Sequence, residues 1–115
     1  TYDMVLGFQE INHKLLRILS QMGPFGPKNM RPVFVTHNCK DLGGTRLVGK
    51  SQEHIKLEIT DSSGIKIQGI AFGMGVHLIT IKNQIPFSVL YTLEENQYNG
   101  IISLQLKVKD LKFDK

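Results

Sequence analysis

The chain has 115 residues, of which 41% are hydrophobic and 21% charged, and its net charge is +4. These values indicate one globular domain, and they argue against a disordered tail or a two-domain protein. No apolar run approaches the roughly 18 residues of a membrane span, and the first residues lack the charged and apolar regions of a signal peptide, so we expect no membrane contact and a cytoplasmic location.

The first predicted element is an α-helix over residues 9–22, preceded by a short extended piece with no pairing partner. Such a start is expected of a fragment cut from a longer protein. The apolar residues of the helix recur at spacings that place them on one stripe: Ile11, Leu15, Ile18, Leu19 and Met22. Gly23-Pro24 is predicted to end the helix, because proline cannot continue its hydrogen bonds.

A connector follows the helix, GPFGPKNMRPVF at residues 23–34, with three of the four prolines of the chain. Proline fixes the backbone angle φ, so this connector is predicted to be stiff. It has two interpretations. It is either a rigid elbow that sets the angle between helix and following domain, or a tight turn that covers the bottom of that domain.

From residue 33 onward the pattern is typical of strands, which are predicted over residues 33–38, 45–49, 54–60, 65–72, 87–93 and 101–109. Turns are predicted at residues 61–64 and 94–100. Alternation in residues 54–59 places Ile55, Leu57 and Ile59 on one face and charged residues on the other. Periodicity does not decide whether residues 73–83 form a helix or a further strand.

These elements predict a mainly β fold: a five- to six-stranded OB-fold Greek-key barrel preceded by one N-terminal α-helix. Two hairpins with one longer excursion between them favour a closed barrel over a sandwich. We expect two segments, with residues 1–32 forming the end of a preceding domain, the linker helix and the elbow, and residues 33–115 forming the barrel.

No residue pattern predicts catalysis within this chain. Cys39 is the only cysteine, so no intrachain disulfide is expected, and the four histidines lack zinc-site spacing. His37 and Cys39 are predicted on one strand face, where they could contact one metal ion, but further ligands are missing. Neither glycine pair, Gly43-Gly44 or Gly73 with Gly75, has the spacing of a nucleotide-binding loop.

The positive charge is concentrated in the first half of the chain. Residues 1–50 carry seven Lys and Arg against three acids, whereas residues 51–115 carry seven of each. A basic stripe suggests a polyanion partner, although an ordinary solvated surface has the same appearance. Single-stranded nucleic acid requires cations for phosphates and flat side chains for bases. The candidate aromatics, each of which could instead pack in the core, are Phe34, Phe72, Tyr91 and Tyr98, the last expected to be exposed beside Asn99-Gly100.

Several segments in order resemble the OB domain, with its preceding linker, of the RecJ family of exonucleases. They are PFGPKNMRPVF at residues 24–34, VGK at 48–50, HIKL at 54–57, GIAF at 69–72, VLYTLEEN at 89–96 and GIISLQLKVKD at 100–110. The chain departs from the family pattern at Lys28, where a second glycine is usual, and at Met30, where proline is frequent. A lysine at position 28 could add a phosphate contact.

The resemblance implies a domain of a 5′ to 3′ exonuclease specific for single-stranded DNA, acting in DNA repair and recombination. In such enzymes, Mn²⁺ or Mg²⁺ is held by DHH and DHHA1 catalytic domains, whose motifs this chain lacks. The chain is therefore expected to grip single-stranded DNA without being catalytic itself. The expected DNA-binding residues are Lys28, Arg31, Arg46, Lys50, His54, Lys56 and Tyr98.

Two alternatives remain open at this point. The barrel could brace the nuclease by protein contacts without touching DNA, or it could be a free-standing OB protein that binds another oligomer. Clustered cations beside an exposed aromatic on one face would favour DNA binding. A contiguous apolar patch on that face would favour the brace.

Overall fold

A computed structural model describes residues 2–12, 14, 15, 17 and 32–114. Within these residues, seven strands form one sheet: β1 (Met4–Val5), β2 (Phe34–Asp41), β3 (Arg46–Val48), β4 (His54–Thr60), β5 (Lys66–Ala71), β6 (Phe87–Tyr98) and β7 (Ile101–Phe113). A short helix, α1 (Leu78–Lys82), lies between β5 and β6, and 3-10 turns span Phe8–Glu10 and Gly75–His77. The fold is therefore mainly β, as predicted, with one short helix in the barrel segment.

Five of the strands close into a ring in the order β2, β4, β5, β7, β6 and back to β2. The β5–β7 contact is parallel, with Gly69 opposite Leu106, and the other four contacts are antiparallel. The ring closes where Lys40 pairs with Thr60 and Asp41 with Ile59. Strand β3 pairs with β4 outside this ring.

The predicted strand number of five to six is too low, because β1 is an additional strand. Met4 and Val5 pair in parallel with Phe34 and Val35 of β2. The Leu6 amide also donates to the Val35 carbonyl at 2.9 Å. The extended start of the chain thus has a partner, contrary to expectation. Two residues with exposed side chains give no periodic pattern from which a strand can be predicted.

The predicted N-terminal helix begins later than expected. Residues 8–10 form a 3-10 turn, and Ile11 is extended. The Asn12 side chain then accepts a hydrogen bond from the Leu15 amide at 2.9 Å, as a helix N-cap does, and residues 14, 15 and 17 are helical. The rest of the predicted helix and the elbow, residues 18–31, lie outside the described residues, and the division at residue 32 stays a prediction.

The barrel encloses side chains from alternate positions of its strands. Ile55, Leu57 and Ile59 of β4 are fully buried, as their alternation predicts. Tyr91 is also buried, and its hydroxyl lies 2.8 Å from Oγ1 of buried Thr36. Ile81 of α1 packs into the same core, so the undecided segment 73–83 contains a helix that covers the barrel.

The β6–β7 hairpin is longer than predicted. Its turn was expected over residues 94–100, but the strands pair continuously until Tyr98 and Ile101. Only Asn99 and Gly100 form the turn, with φ angles of 50° and 79°. A two-residue hairpin turn of this type favours an Asn-Gly sequence. Polar residues 94–97 gave no strand signal because this part of the hairpin has no core to face.

Candidate nucleic-acid interface

The outward face of the barrel on β3, β4, β5 and β7 carries most of the predicted DNA-binding residues that the structure describes. Since β4 turns its isoleucines and Leu57 inward, His54, Lys56 and Glu58 point outward. On β5, inward Ile67, Gly69 and Ala71 leave the alternate residues on the outside. We call this surface the basic face, and its charged residues are Arg46, Lys56, Glu58, Lys66 and Lys107.

One row across the basic face is defined by strand register. Arg46 lies opposite Lys56 on the neighbouring strand, Lys56 opposite Ile70, and Ile70 opposite Lys107. Lys107 is exposed between the buried Leu106 and Val108. Like charges directly opposite each other destabilise a sheet. The Arg46–Lys56 pair therefore places two like charges side by side, at a local cost to the stability of the sheet.

Glu58 neutralises part of this charge. Its carboxylate lies 3.8 Å from Nη1 of Arg46 and 3.5 Å from Nζ of Lys66. Within the described residues, Lys56 and Lys107 form no ion pair. Four cations thus face one carboxylate, and two of the four keep their charge available for a ligand.

Lys50 lies at the tip of the β3–β4 hairpin, apart from the row. It is exposed, and the turn is closed by a hydrogen bond from the Gln52 amide to the Gly49 carbonyl at 3.1 Å. Gly49 has a φ of 98°, which favours glycine. Lys50 therefore extends the positive charge beyond the end of the basic face.

His54 is held by protein groups at both ring nitrogens. Nδ1 accepts a hydrogen bond from the Gly73 amide at 2.8 Å, and Nε2 lies 2.9 Å from Oε1 of Glu53. Because Nδ1 is the acceptor, the proton of the neutral ring is assigned to Nε2. A phosphate contact by His54 would have to displace Glu53. The predicted role of His54 in binding phosphate stays a prediction.

Phe72 supplies an exposed aromatic ring beside His54. Its side chain is 56% exposed, and the two rings meet edge to face with centroids 5.1 Å apart. Phe34 and Tyr91, also considered as stacking platforms, are buried in the core. The Tyr98 side chain and the residues Lys28 and Arg31 lie outside what the structure describes, so their predicted contacts stay predictions.

Two cations of the basic face, Lys66 and Lys107, were missing from the predicted DNA-binding set, and Phe72 was considered only as a candidate stacking aromatic. The alternation of β7 places Lys107 on the outside, but only the parallel β5–β7 contact brings it beside the β4 cations. Phe72 follows the last residue of β5, where strand alternation no longer predicts exposure.

The predicted common face of His37 and Cys39 is wrong. The register of β2 against β6 shifts between Thr36 and Cys39, and Asn38 has a φ of 60°. His37 is exposed with Nδ1 2.7 Å from Ser88 Oγ, whereas Cys39 is buried. Burial raises the pKa of the Cys39 thiol to about 12. In the described parts of the chain, no three His, Cys, Asp or Glu residues are grouped as metal ligands.

A closed ring of five strands, with the helix α1 packed onto its core, defines the class of fold, a small OB-type β-barrel. A family model described as the RecJ OB domain matches residues 2–110, and the chain belongs to that family. Among the described residues, no helix has the length and hydropathy to span a membrane.

A solved structure shares this fold: the crystal structure of RecJ in complex with Mg²⁺ from Thermus thermophilus. The two chains are 19% identical, with a TM-score of 0.66, and the match covers 90% of this chain and 15% of that one. No curated protein matches the chain. The chain thus corresponds to a small part of the longer Thermus protein.

Proposed function

We propose that this domain binds single-stranded DNA on its basic face and holds the strand for the catalytic domains of a RecJ-type 5′ to 3′ exonuclease. The observation that carries the proposal is the row in which Arg46 lies opposite Lys56, with Lys107 two strands further. Neighbouring strands are about 4.8 Å apart, so the row spans about 14 Å. A row of this length can contact consecutive phosphates of one strand.

Phe72 adds the second requirement for binding a single strand. Bases stack on exposed aromatic rings whatever their sequence, and the Phe72 ring is 56% exposed. His54 holds this end of the face through the Gly73 amide at 2.8 Å and the edge of the Phe72 ring. We therefore assign Phe72 to base stacking and His54 to positioning it.

Hydrolysis belongs, in this proposal, to other domains of the parent protein. A metal-dependent exonuclease requires a cluster of metal ligands, and the described residues bring no three such side chains together. The Mn²⁺ or Mg²⁺ ions would be held by DHH and DHHA1 domains of the parent chain. The parent would then be a hydrolase acting in DNA repair and recombination, with this domain selecting single strands.

The alternative is that the barrel braces the nuclease through protein contacts. Exposed apolar side chains on the helical segment favour it, with Val76 82% and Ile79 74% exposed. These residues lie between β5 and β6 and not in the cation row, so a brace at α1 would leave the basic face open. The two functions are therefore compatible, and DNA binding is the one that the basic face supports.

Fluorescence anisotropy of a labelled single-stranded DNA of about 15 nucleotides tests the proposal. We expect the Lys56→Ala, Lys107→Ala variant to bind about tenfold more weakly or worse at low salt. Lys112→Ala is the matched control, since Lys112 lies near Tyr2 and His37 on another side of the barrel. Unchanged affinity in the double variant, or equal loss in the control, contradicts the assignment.

A further inference from the structure

The outer half of the β6–β7 hairpin projects beyond the barrel. Strand β6 pairs with β2 only as far as Tyr91, and β7 pairs with β5 only at Leu106 and Lys107. Residues 94–105 therefore form a two-stranded ribbon, which we call the arm. Its five residue pairs extend it by about 17 Å.

The arm has the opposite charge to the rest of the chain. Residues 94–105 contain Glu94 and Glu95 and no Lys or Arg. With a net charge of +4 for the whole chain, the remainder carries +6. Gln105 donates to the Glu94 carboxylate at 2.7 Å, which keeps that negative group in place. A nucleic-acid backbone would be repelled here, so the arm does not extend the DNA-binding surface.

The tip of the arm is apolar. Ile101 is 70% exposed and Ile102 is 47% exposed. They follow the Asn99-Gly100 turn directly, and successive residues of a strand point to opposite faces. Both faces of the tip thus present an isoleucine to solvent. Two-stranded ribbons are only marginally stable alone in water, so a contact that buries both isoleucines would stabilise this projection.

We propose that the arm docks onto another domain of the parent protein, inserting Ile101 and Ile102 into an apolar hollow rimmed by basic residues. This inference rests on the proposed RecJ-type parent. The carboxylates of the arm require a basic rim, which argues for protein over nucleic acid. The chain corresponds to 15% of the Thermus RecJ chain, so a parent of that size supplies ample surface for the hollow.

Cysteine labelling of the full-length parent tests the docking. Gln97 is exposed directly opposite Ile102, so Gln97→Cys reports on the tip while keeping both isoleucines. Ser62→Cys, at an exposed turn of the barrel, is the matched control. The native Cys39 is buried and its pKa is raised to about 12, so it contributes no background in the folded protein, and in urea its labelling is scored separately from that of position 97. The rate of reaction with a neutral maleimide is measured in the folded protein and in urea, separately for the peptide that contains each cysteine.

We expect native Gln97→Cys to react about tenfold more slowly than in urea, while Ser62→Cys reacts equally fast in both. Adding Ile101→Ser and Ile102→Ser should restore fast labelling at position 97. Fast labelling of Gln97→Cys in the intact parent overturns the proposal. Protection that is lost on dilution overturns it too, because the contact is then between molecules. Protection that requires added single-stranded DNA overturns it in favour of a nucleic-acid contact.

The same proteins separate this inference from the proposed function. Single-stranded DNA binding is measured by anisotropy on the Ile101→Ser, Ile102→Ser variant of the parent. If the parent binds single-stranded DNA but Gln97→Cys, with both isoleucines kept, is labelled rapidly, the docking proposal fails and the proposed function stands. If Gln97→Cys is protected but the parent does not bind single-stranded DNA, the proposed function fails and the docking proposal stands.

Discussion

Lys82 Nζ lies 3.1 Å from Oδ2 of Asp41, whose side chain is only 1% exposed. The same ammonium group donates to the Gly43 carbonyl at 2.8 Å. The other carboxylate oxygen of Asp41 accepts the Thr45 amide at 3.2 Å. This cluster joins the end of α1 to the loop that leads into β3, and thereby positions Arg46 on the basic face.

We expect Lys82→Met to destabilise the domain by about 1–2 kcal/mol at pH 7. Removing one member of a buried pair costs more than this, but Lys82 is 37% exposed and solvent screens its charge. The matched control is Lys112→Met, an exposed lysine with no ion pair among the described residues. Urea unfolding measures the difference, and equal stability of both variants would contradict the role of the pair.

The effect of Lys82→Met should depend on pH. Burial opposes ionisation of Asp41, but its hydrogen bonds from Thr45, the Gly43 amide and Lys82 hold its pKa below the ordinary value. A carboxyl whose pKa is lowered by folding stabilises the protein above its unfolded pKa of about 3.9. This stabilisation is lost as the pH falls through the native pKa. Urea titrations should therefore show the variant and wild type converging below about pH 4; a difference independent of pH would contradict this cause.

Gly69→Ala should cost about 2 kcal/mol of stability, because the parallel β5–β7 contact leaves no room for a side chain. An added Cβ would lie 2.9 Å from Cβ of Leu106 and 3.0 Å from its carbonyl oxygen. Gln68→Ala, at the adjacent exposed position, is the control. Thermal unfolding checks the prediction, which is wrong if Gly69→Ala is as stable as Gln68→Ala.

Cys39 should react with thiol reagents only when the domain unfolds. Its side chain is fully buried, and burial raises its pKa to about 12, so thiolate is scarce at neutral pH. Labelling with an aromatic disulfide at pH 8 should be slow in buffer and rapid in urea. Rapid labelling without denaturant would place Cys39 at an accessible position, contrary to the structure.

Phe72→Ala should weaken binding of single-stranded DNA by about 1–3 kcal/mol, the value typical of one stacked base. Since no charge is removed, the slope of log affinity against log salt should not change. Ile79→Ala, also an exposed apolar position, with 74% exposure, serves as the control in anisotropy titrations. Equal losses for both variants would show general apolar contact in place of stacking.

Sequence patterns predicted the elements whose two faces differ. Strand β4 has charged and apolar residues in strict alternation, so both its extent and its buried face were predicted correctly. Strand β1 could not be found, because its two residues pair by main-chain bonds while their side chains stay exposed. The bulge that separates His37 from Cys39 depends on the left-handed Asn38, which alternation cannot reveal.

Local sequence patterns also predicted only part of the candidate site. Arg46, Lys50 and Lys56 lie close in sequence on one hairpin, so they could be grouped before the structure was known. Lys107 joins Lys56 only through the non-local contact between β5 and β7. Pairing of strands that are distant in sequence is set by the topology of the closed ring, and no local spacing in the chain encodes it.

The salt dependence of single-stranded DNA binding tests the central claim most directly. Anisotropy titrations over a range of salt concentrations compare wild type with Lys56→Ala, Lys107→Ala and with Lys112→Ala. Each phosphate contact on a single strand contributes about 0.7 to the slope of log affinity against log salt, so two contacts contribute about 1.4. We predict that the double variant lowers the magnitude of the slope by this amount and that Lys112→Ala leaves it unchanged. An unchanged slope in the double variant would mean that the basic face does not contact the DNA backbone.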